Sequence, residues 1–173
     1  MAGLATPRKS FRYLLELDGA DSFLIQEIDP PKVELAVVEH ASPGNIPNAK
    51  TPGKMKVGEL VVKKMKPANR VDTWAWELMA AAALGLTPTF VKTGFLKELA
   101  PDMVTTVSKF FLGDCWVSAI EHSGYKGTAD ENIIETVTFA VQFYFPTDSP
   151  QFNSLFGGTA SGAGGASSAG GLS

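Results

Sequence analysis

The chain has 173 residues, of which 45% are hydrophobic and 19% charged. That is the length of one domain, with enough apolar material to bury about 70% of its unfolded surface, so wholesale disorder is excluded. One cysteine, Cys115, and two histidines, His40 and His122, cannot build a disulfide scaffold or a thiolate zinc cage, and a net charge of -3 offers none of the basic surface that nucleic-acid binders use.

No apolar run reaches the roughly 18 residues of a membrane span, and the longest low-charge stretch, Leu78–Phe90, is interrupted by Gly85 and Pro88. Met1–Arg12 lacks the apolar centre of a secretory signal, so a soluble protein made in the cytosol is expected. Charge is uneven. Residues 1–70 hold eleven Lys and Arg against eight Asp and Glu, whereas residues 71–173 hold four against ten. The molecule is electrically polar if those halves form different faces.

Residues 1–10 mix Pro7, Arg8 and Lys9 with small residues and are expected to be a flexible arm. From Phe11 apolar and polar residues alternate through Leu17. Asp18-Gly19 then supplies turn chemistry ahead of a second run, Phe23–Ile28, so the pattern predicts a hairpin. Pro30-Pro31 breaks the chain, and Val33–Glu39 is a β-branched third strand. The next segment, Ala41–Lys54, contains Pro43-Gly44, Asn45, Pro47, Lys50 and Pro52-Gly53, with Ile46 its only strongly hydrophobic residue. An irregular loop is expected there, long against the usual 4 to 6 residues or so, which points to a function. Met55–Lys64 reads as a strand in spite of Gly58, pairing with the strand before the loop.

One helix is expected from Asp72 or Thr73, either able to cap it, through Trp74, Trp76, Leu78, Met79 and Ala80–Ala83, with Gly85 as its stop. Glu77 is its only charge, so it must lie against a sheet or another subunit. Three more strands follow: Met103–Phe111, Cys115–Glu121 after a Gly113-Asp114 turn, and Ile133–Phe145. In the last, ten of 13 residues are β-branched or aromatic, and the odd positions are apolar apart from Glu135. A strand so far beyond the usual 5 to 6 residues needs partners along its whole length, which one small domain does not obviously provide. From Gly157 to Ser173, 15 of 17 residues are Gly, Ala or Ser. The expected organisation is an arm over 1–10, a domain over 11–146 and a flexible tail over 147–173.

Chemistry is hard to find in this pattern. Pro52-Gly53-Lys54-Met55 fails as a phosphate loop, because Asn48 stands in place of the first glycine and Met55 in place of the hydroxyl residue. Cys115 and His122, seven apart in one segment, should lie on opposite faces of a strand, and Cys115 reads as a packed hydrophobe. Asp130-Glu131 reads as a solvated turn, and Trp74 and Trp76 as core or interface. Lys54, Lys56, Lys63, Lys64 and Lys66 form no one-sided patch, since Lys63 and Lys64 point to opposite faces. The expectation is no enzyme and no cofactor or metal: a mostly-β domain built for assembly.

Five sequence features, in order, carry a resemblance. They are Leu17-Asp18-Gly19-Ala20 with Phe23, Thr51-Pro52-Gly53-Lys54, Leu60–Lys64, the helix start Asp72–Trp76, and Ile134-Glu135-Thr136. Over Phe11–Phe145 the chain resembles the tail tube proteins of contractile phage tails and the related tube proteins of contractile injection systems. The resemblance implies a tail-tube-like β-sandwich or barrel with one flanking helix and a long inter-strand loop. It also implies hexameric rings stacked head-to-tail into a tube, with the sheath, tape-measure, baseplate and tail terminator proteins as partners. DNA, or an effector, would pass through the lumen without specific binding. The location implied is the virion tail tube, assembled in the host cytoplasm.

By that resemblance the loop with Pro43, Gly44, Asn45, Pro47, Lys50, Pro52, Gly53 and Lys54 looks like the element that reaches the adjacent ring. Asp130 and Glu131 are its candidate acidic counter-surface, and Thr136, Thr138 and Gln142 are candidate lumen residues because that strand face is polar yet uncharged. The Gly/Ala/Ser tail departs from the family pattern. A monomeric β-sandwich binding module is the competing class, separated by mass in solution.

Overall fold

The computed structural model describes residues 12–20, 25–41, 43–44, 49–86, 90–125 and 132–155. In chain order they form β1 (Tyr13–Leu17), β2 (Ile25–Asp29), β3 (Val33–His40), β4 (Ala49–Val57), β5 (Glu59–Met65), α1 (Trp74–Ala83), β6 (Lys92–Leu99), β7 (Thr106–His122), β8 (Ile134–Pro146) and α2 (Pro150–Leu155). Six strands make one antiparallel sheet in the order β1-β6-β7-β8-β5-β2, and β3 and β4 form a separate two-stranded ribbon. The sheet curls until its edges meet: the Tyr13 hydroxyl on β1 donates to the Gln26 carbonyl on β2 at 2.7 Å. Leu15, Leu60, Val62, Leu112, Val117, Val137 and Phe139 fill the interior. The chain is mostly β, as its strand patterns predict.

The hairpin expected between the first two runs does not form. β1 pairs with β6 and β2 with β5, at opposite edges of the sheet. The Asp18-Gly19 turn is real, with Gly19 at φ 83 and the Ala20 amide donating to the Leu17 carbonyl at 3.0 Å. It turns the chain under Trp74, whose indole would lie 2.7 Å from a Cβ at residue 19, and does not return it along β1. Strand β6 was absent from the expected elements. Its Gly94 serves close approach: a Cβ there would collide with the Glu16 carbonyl oxygen on the neighbouring strand.

Residues expected as two strands around a Gly113-Asp114 turn are one strand of 17 residues, β7. Toward β6, Lys92 pairs with Cys115 and Gly94 with Leu112, leaving one extra residue on β7, while toward β8 the register runs unbroken from Leu112↔Tyr144 to Cys115↔Val141. Gly113-Asp114 is thus a bulge, with Asp114 at φ 50, held straight by β8. A second register shift, between Val117 and Ala119, turns Cys115 and His122 toward the same face, against the expectation from their spacing. Their partners Val141 and Glu135 are still about 20 Å apart along β8 at the usual strand rise. Cys115 is buried, and that burial, followed by the Asp114 charge, pushes its thiol up to about 12.

The irregular loop expected over Ala41–Lys54 is shorter than predicted. β4 starts at Ala49, so Lys50, Pro52, Gly53 and Lys54 are strand residues. The turn-forming residues are absorbed by a bulge: Val37 faces Pro52 and Leu35 faces Met55, with one extra residue on β4. Proline's missing amide is tolerated at such a position. The expected single strand Met55–Lys64 breaks at Gly58, whose amide donates to the Lys32 carbonyl at 2.7 Å, and its two parts join different sheets.

Helix α1 ends as expected, with Gly85 at φ 70 and the Leu86 amide on the Ala81 carbonyl at 3.0 Å. Its start is not capped by either candidate. The Thr73 hydroxyl donates to Glu77 Oε1 at 2.9 Å and the Asp72 carboxylate accepts from Lys64 at 3.0 Å. Within the span expected as tail, Pro150–Leu155 is helical, and Phe152 stacks on Phe145 at 5.9 Å, so ordered structure continues past residue 146. Residues 1–10 and 156–173 lie outside the described residues.

Candidate assembly surfaces

Every residue of β3 is exposed. Cross-strand pairing puts Val33 opposite Val57, Leu35 opposite Met55 and Val37 opposite Pro52, so one side of the ribbon is an apolar stripe, with Leu35 57% and Val37 63% exposed. The other side pairs Glu34 with Lys56 and Val38 with Thr51. Sequence analysis singled out the loop and passed over this stripe, although Val33, Leu35 and Val37 alternating with Glu34 and Ala36 is the signal of a half-buried strand. Of the loop residues, Pro43 and Gly44 form the described part of the ribbon's turn, and Asn45 and Pro47 lie outside the described residues. Lys50 is already engaged by Glu39 at 3.2 Å, whereas Lys54 is exposed.

The register gives the molecule two ends. β5 runs along β8 from Glu59↔Ala140 to Met65↔Ile134, so β4, which precedes β5, lies on the Pro146 side of that pairing. The β7–β8 connection, which contains Asp130 and Glu131, springs from His122 and Ile134 at the other end. Asp130 and Glu131 themselves are outside the described residues.

Thr136, Thr138 and Gln142 share the face of β8 that points away from the core; the threonines are half-buried and Gln142 is exposed. Across the ladder Thr136 meets Lys63 and Glu121, Thr138 meets Val61 and Ala119, and Ala140 meets Glu59 and Trp116. β2 adds Glu27 and Asp29, and Asp114 stands beside Gln142 around an open groove. The β8 face itself is uncharged, but the sheet face it belongs to is acidic. Lys63 lies among these carboxylates and is bound to Glu27 at 2.7 Å, a contact that raises its pKa. The carboxylates were not legible as one surface because they come from three other strands, β2, β5 and β7, brought together only through register.

The opposite face of β8 holds a buried ionic cluster. Glu135, fully buried, lies 3.1 Å from Lys64 and 3.5 Å from Lys66, and its Oε2 is 2.8 Å from His122 Nε2 and 3.2 Å from the Trp76 indole nitrogen. Desolvation pushes its pKa up, but hydrogen bonds from His122 and Lys64 outweigh this, and the carboxyl is held below its ordinary value. The cluster fastens α1 to the Ile134 end of the sheet. Glu135, the lone charge on an apolar strand face, was its signal in the sequence.

Among curated proteins no sequence matches. Several solved structures share the fold. The chain is similar to a protein of the cap that terminates the tube of the anti-feeding prophage, with TM-score 0.72 and 12% identity over 86% of this chain and 96% of that one. It is also similar to a chain of the sheath/tube terminator of an extracellular contractile injection system, PVC, with TM-score 0.70 and 10% identity over 83% and 99%. A chain of the PVC sheath–tube complex gives TM-score 0.68 and 10% identity over 83% and 93%. The profile of the T4-like virus tail tube protein gp19 matches residues 9–144, and with so much of the sequence covered the chain belongs to that tail tube family.

Proposed function

We propose that this tail tube protein is a structural subunit that forms six-membered rings, stacked head-to-tail into a tube, with no catalytic role. The observation that carries the proposal is the β3–β4 ribbon, an apolar two-stranded element outside the main sheet on the Pro146 side. A lone two-stranded ribbon is marginal in water, and an exposed apolar stripe is the mark of a contact surface. β8 adds support. β7 pairs with it from Glu135 to Pro146, whereas its pairing with β5 covers only Ile134–Ala140 of its 13 residues.

The ribbon and the Pro43–Lys54 segment are the stacking element, which meets the opposite end of the next ring, the end from which the β7–β8 connection containing Asp130 and Glu131 springs. The face carrying Thr136, Thr138 and Gln142 lines the lumen, and its carboxylates let a polyanion pass, since each Lys or Arg contact to phosphate would add affinity and slow it. The tube would sit inside a contractile sheath, assemble from a baseplate around a tape-measure protein, end at a terminator, and conduct DNA on ejection. A tube delivering an effector from an injection system uses the same geometry, and the sheath–tube likeness above supports it equally. Imaging of native particles for a DNA-filled head separates the two.

Analytical ultracentrifugation and negative-stain microscopy of the purified chain test the core claim. Rings or hollow tubes are expected. A persistent monomer at high concentration, without tubes even on a baseplate template, overturns it and favours a binding module.

A further inference from the structure

Helix α1 buries Ala75, Leu78 and Ala81 against the sheet and leaves another stripe outward. Trp76, Ala80, Ala83 and Leu84 are all exposed, Leu84 by 74%, and their spacing places them on one side of the helix. Nothing covers this stripe among the described residues, and the small side chains of Ala80 and Ala83 leave a flat strip that a strand can approach closely. Trp76 ties this surface to the Glu135 and His122 end of the sheet through its indole bond to Glu135 and a 5.7 Å ring contact with His122. The apolar stripe of the β3–β4 ribbon belongs to the opposite end.

We propose that the outer face of α1 is the socket that receives the apolar side of the β3–β4 ribbon from a second copy of this chain. The proposal rests on the ribbon being a stacking element and names what it stacks on. Two different apolar faces at opposite ends of one molecule suit a head-to-tail contact, which repeats without closing, whereas a two-fold contact would need one self-complementary face. Charge agrees. Residues 32–57 carry four Lys against two Glu, while residues 72–86 carry Asp72 and Glu77 with no Lys or Arg. Leu35, Val37 and Met55 would lie over Ala80 and Ala83, with Lys54 or Lys56 near Glu77.

The test places a photoreactive benzophenone amino acid at Leu35 in the full chain, assembles tubes from mixed heavy- and light-isotope protein, irradiates them and maps the links by tryptic mass spectrometry. Links between copies to the peptide 71–92 are expected. Links between copies that fall instead on the peptide 127–173, which holds Asp130 and Glu131, or on any other, overturn the α1 socket but leave ribbon stacking intact. Tubes with no link between copies overturn both. Should the labelled chain not assemble, Ala80→Arg with Ala83→Arg tests the same surface at exposed positions: tubes at least tenfold shorter with an unchanged circular dichroism spectrum are expected, and tubes of normal length overturn the socket.

Discussion

Strands β8 and β3 are built from the same kinds of residue and meet opposite fates. In β8, Val137, Phe139, Val141 and Phe145 are at most 7% exposed. In β3, Val33, Leu35, Val37 and Val38 are all at least 40% exposed. Both strands alternate and both are β-branched, so propensity does not distinguish them. The difference is what surrounds the apolar side: β8 has β5 and β7 beside it in the sheet and Trp74 and Trp76 of α1 against its inner face, and β3 has β4 alone beside it. The sheet thus draws its stability from within the chain, while the apolar side of β3 stays exposed in the single chain.

The largest expected effects lie in the sheet. Phe139→Ala should lower the unfolding free energy of the unassembled chain by about 3 to 5 kcal/mol, because the ring packs against Trp74 with centroids 6.0 Å apart and leaves a cavity. Leu35→Ala should change it by less than about 0.5 kcal/mol, the usual range at the surface. Urea unfolding compares the two directly, and a large loss at Leu35 would place the ribbon inside the monomer's own core.

Glu135→Gln should cost about 3 kcal/mol, since it removes the charge shared by Lys66 and Lys64, the latter only 8% exposed and left with Asp72 alone. Acid should do reversibly what that substitution does permanently. The folded-state pKa of Glu135 is lowered, so its contribution is present above the ordinary carboxyl value and is lost as pH falls through the depressed one. Unfolding followed from neutral to acid pH should therefore weaken in the acid range, with a smaller change in Glu135→Gln. An identical pH profile in the variant would remove Glu135 from the account.

How much of this was legible depended on whether information was local. The helix and the 13-residue strand were read from periodicity and turn residues, and both stand nearly where expected. Partner choice was not legible: nothing between Phe11 and Ile28 says that β1 will choose β6, nearly eighty residues away, over β2. Gly113 misled for a physical reason: beside Asp114 it looks like a turn residue, but it sits in a strand where a side chain would strike the Phe111 ring. Of the candidate surfaces, the Pro43–Lys54 segment adjoins the apolar stripe, which begins before it at Val33 and was passed over. The acidity of the face around Thr136 arises only when β2, β5 and β7 are aligned beside β8.

A smaller effect is expected at that face. Glu59→Lys with Glu121→Lys should leave folding unchanged, since both side chains are exposed, yet make assembled tubes retain DNA at low salt and release it as salt rises. Gel shift and co-sedimentation would show this, and wild-type tubes should retain none. Equal behaviour of the two would take this face out of the lumen.

The smallest effect belongs to the ribbon's lysines. Lys50 is 3.2 Å from Glu39, with both side chains more than half exposed, and such a pair contributes about 0 to 1 kcal/mol. Its charge is largely answered within the ribbon, so little remains for a neighbouring ring. Lys54 is exposed and forms no ion pair among the described residues, so its charge is available to another copy. Lys54→Glu should therefore shorten tubes more than Lys50→Glu does, and adding salt should shrink the difference, because exposed charges are screened beyond about 8 Å at physiological ionic strength. Measured by electron microscopy at low and high salt, both variants should still elongate where Leu35→Glu does not, since the apolar stripe, and not the charge beside it, drives the contact. Abolition of tubes by Lys54→Glu alone, at any salt, would reverse that order and make stacking an electrostatic event.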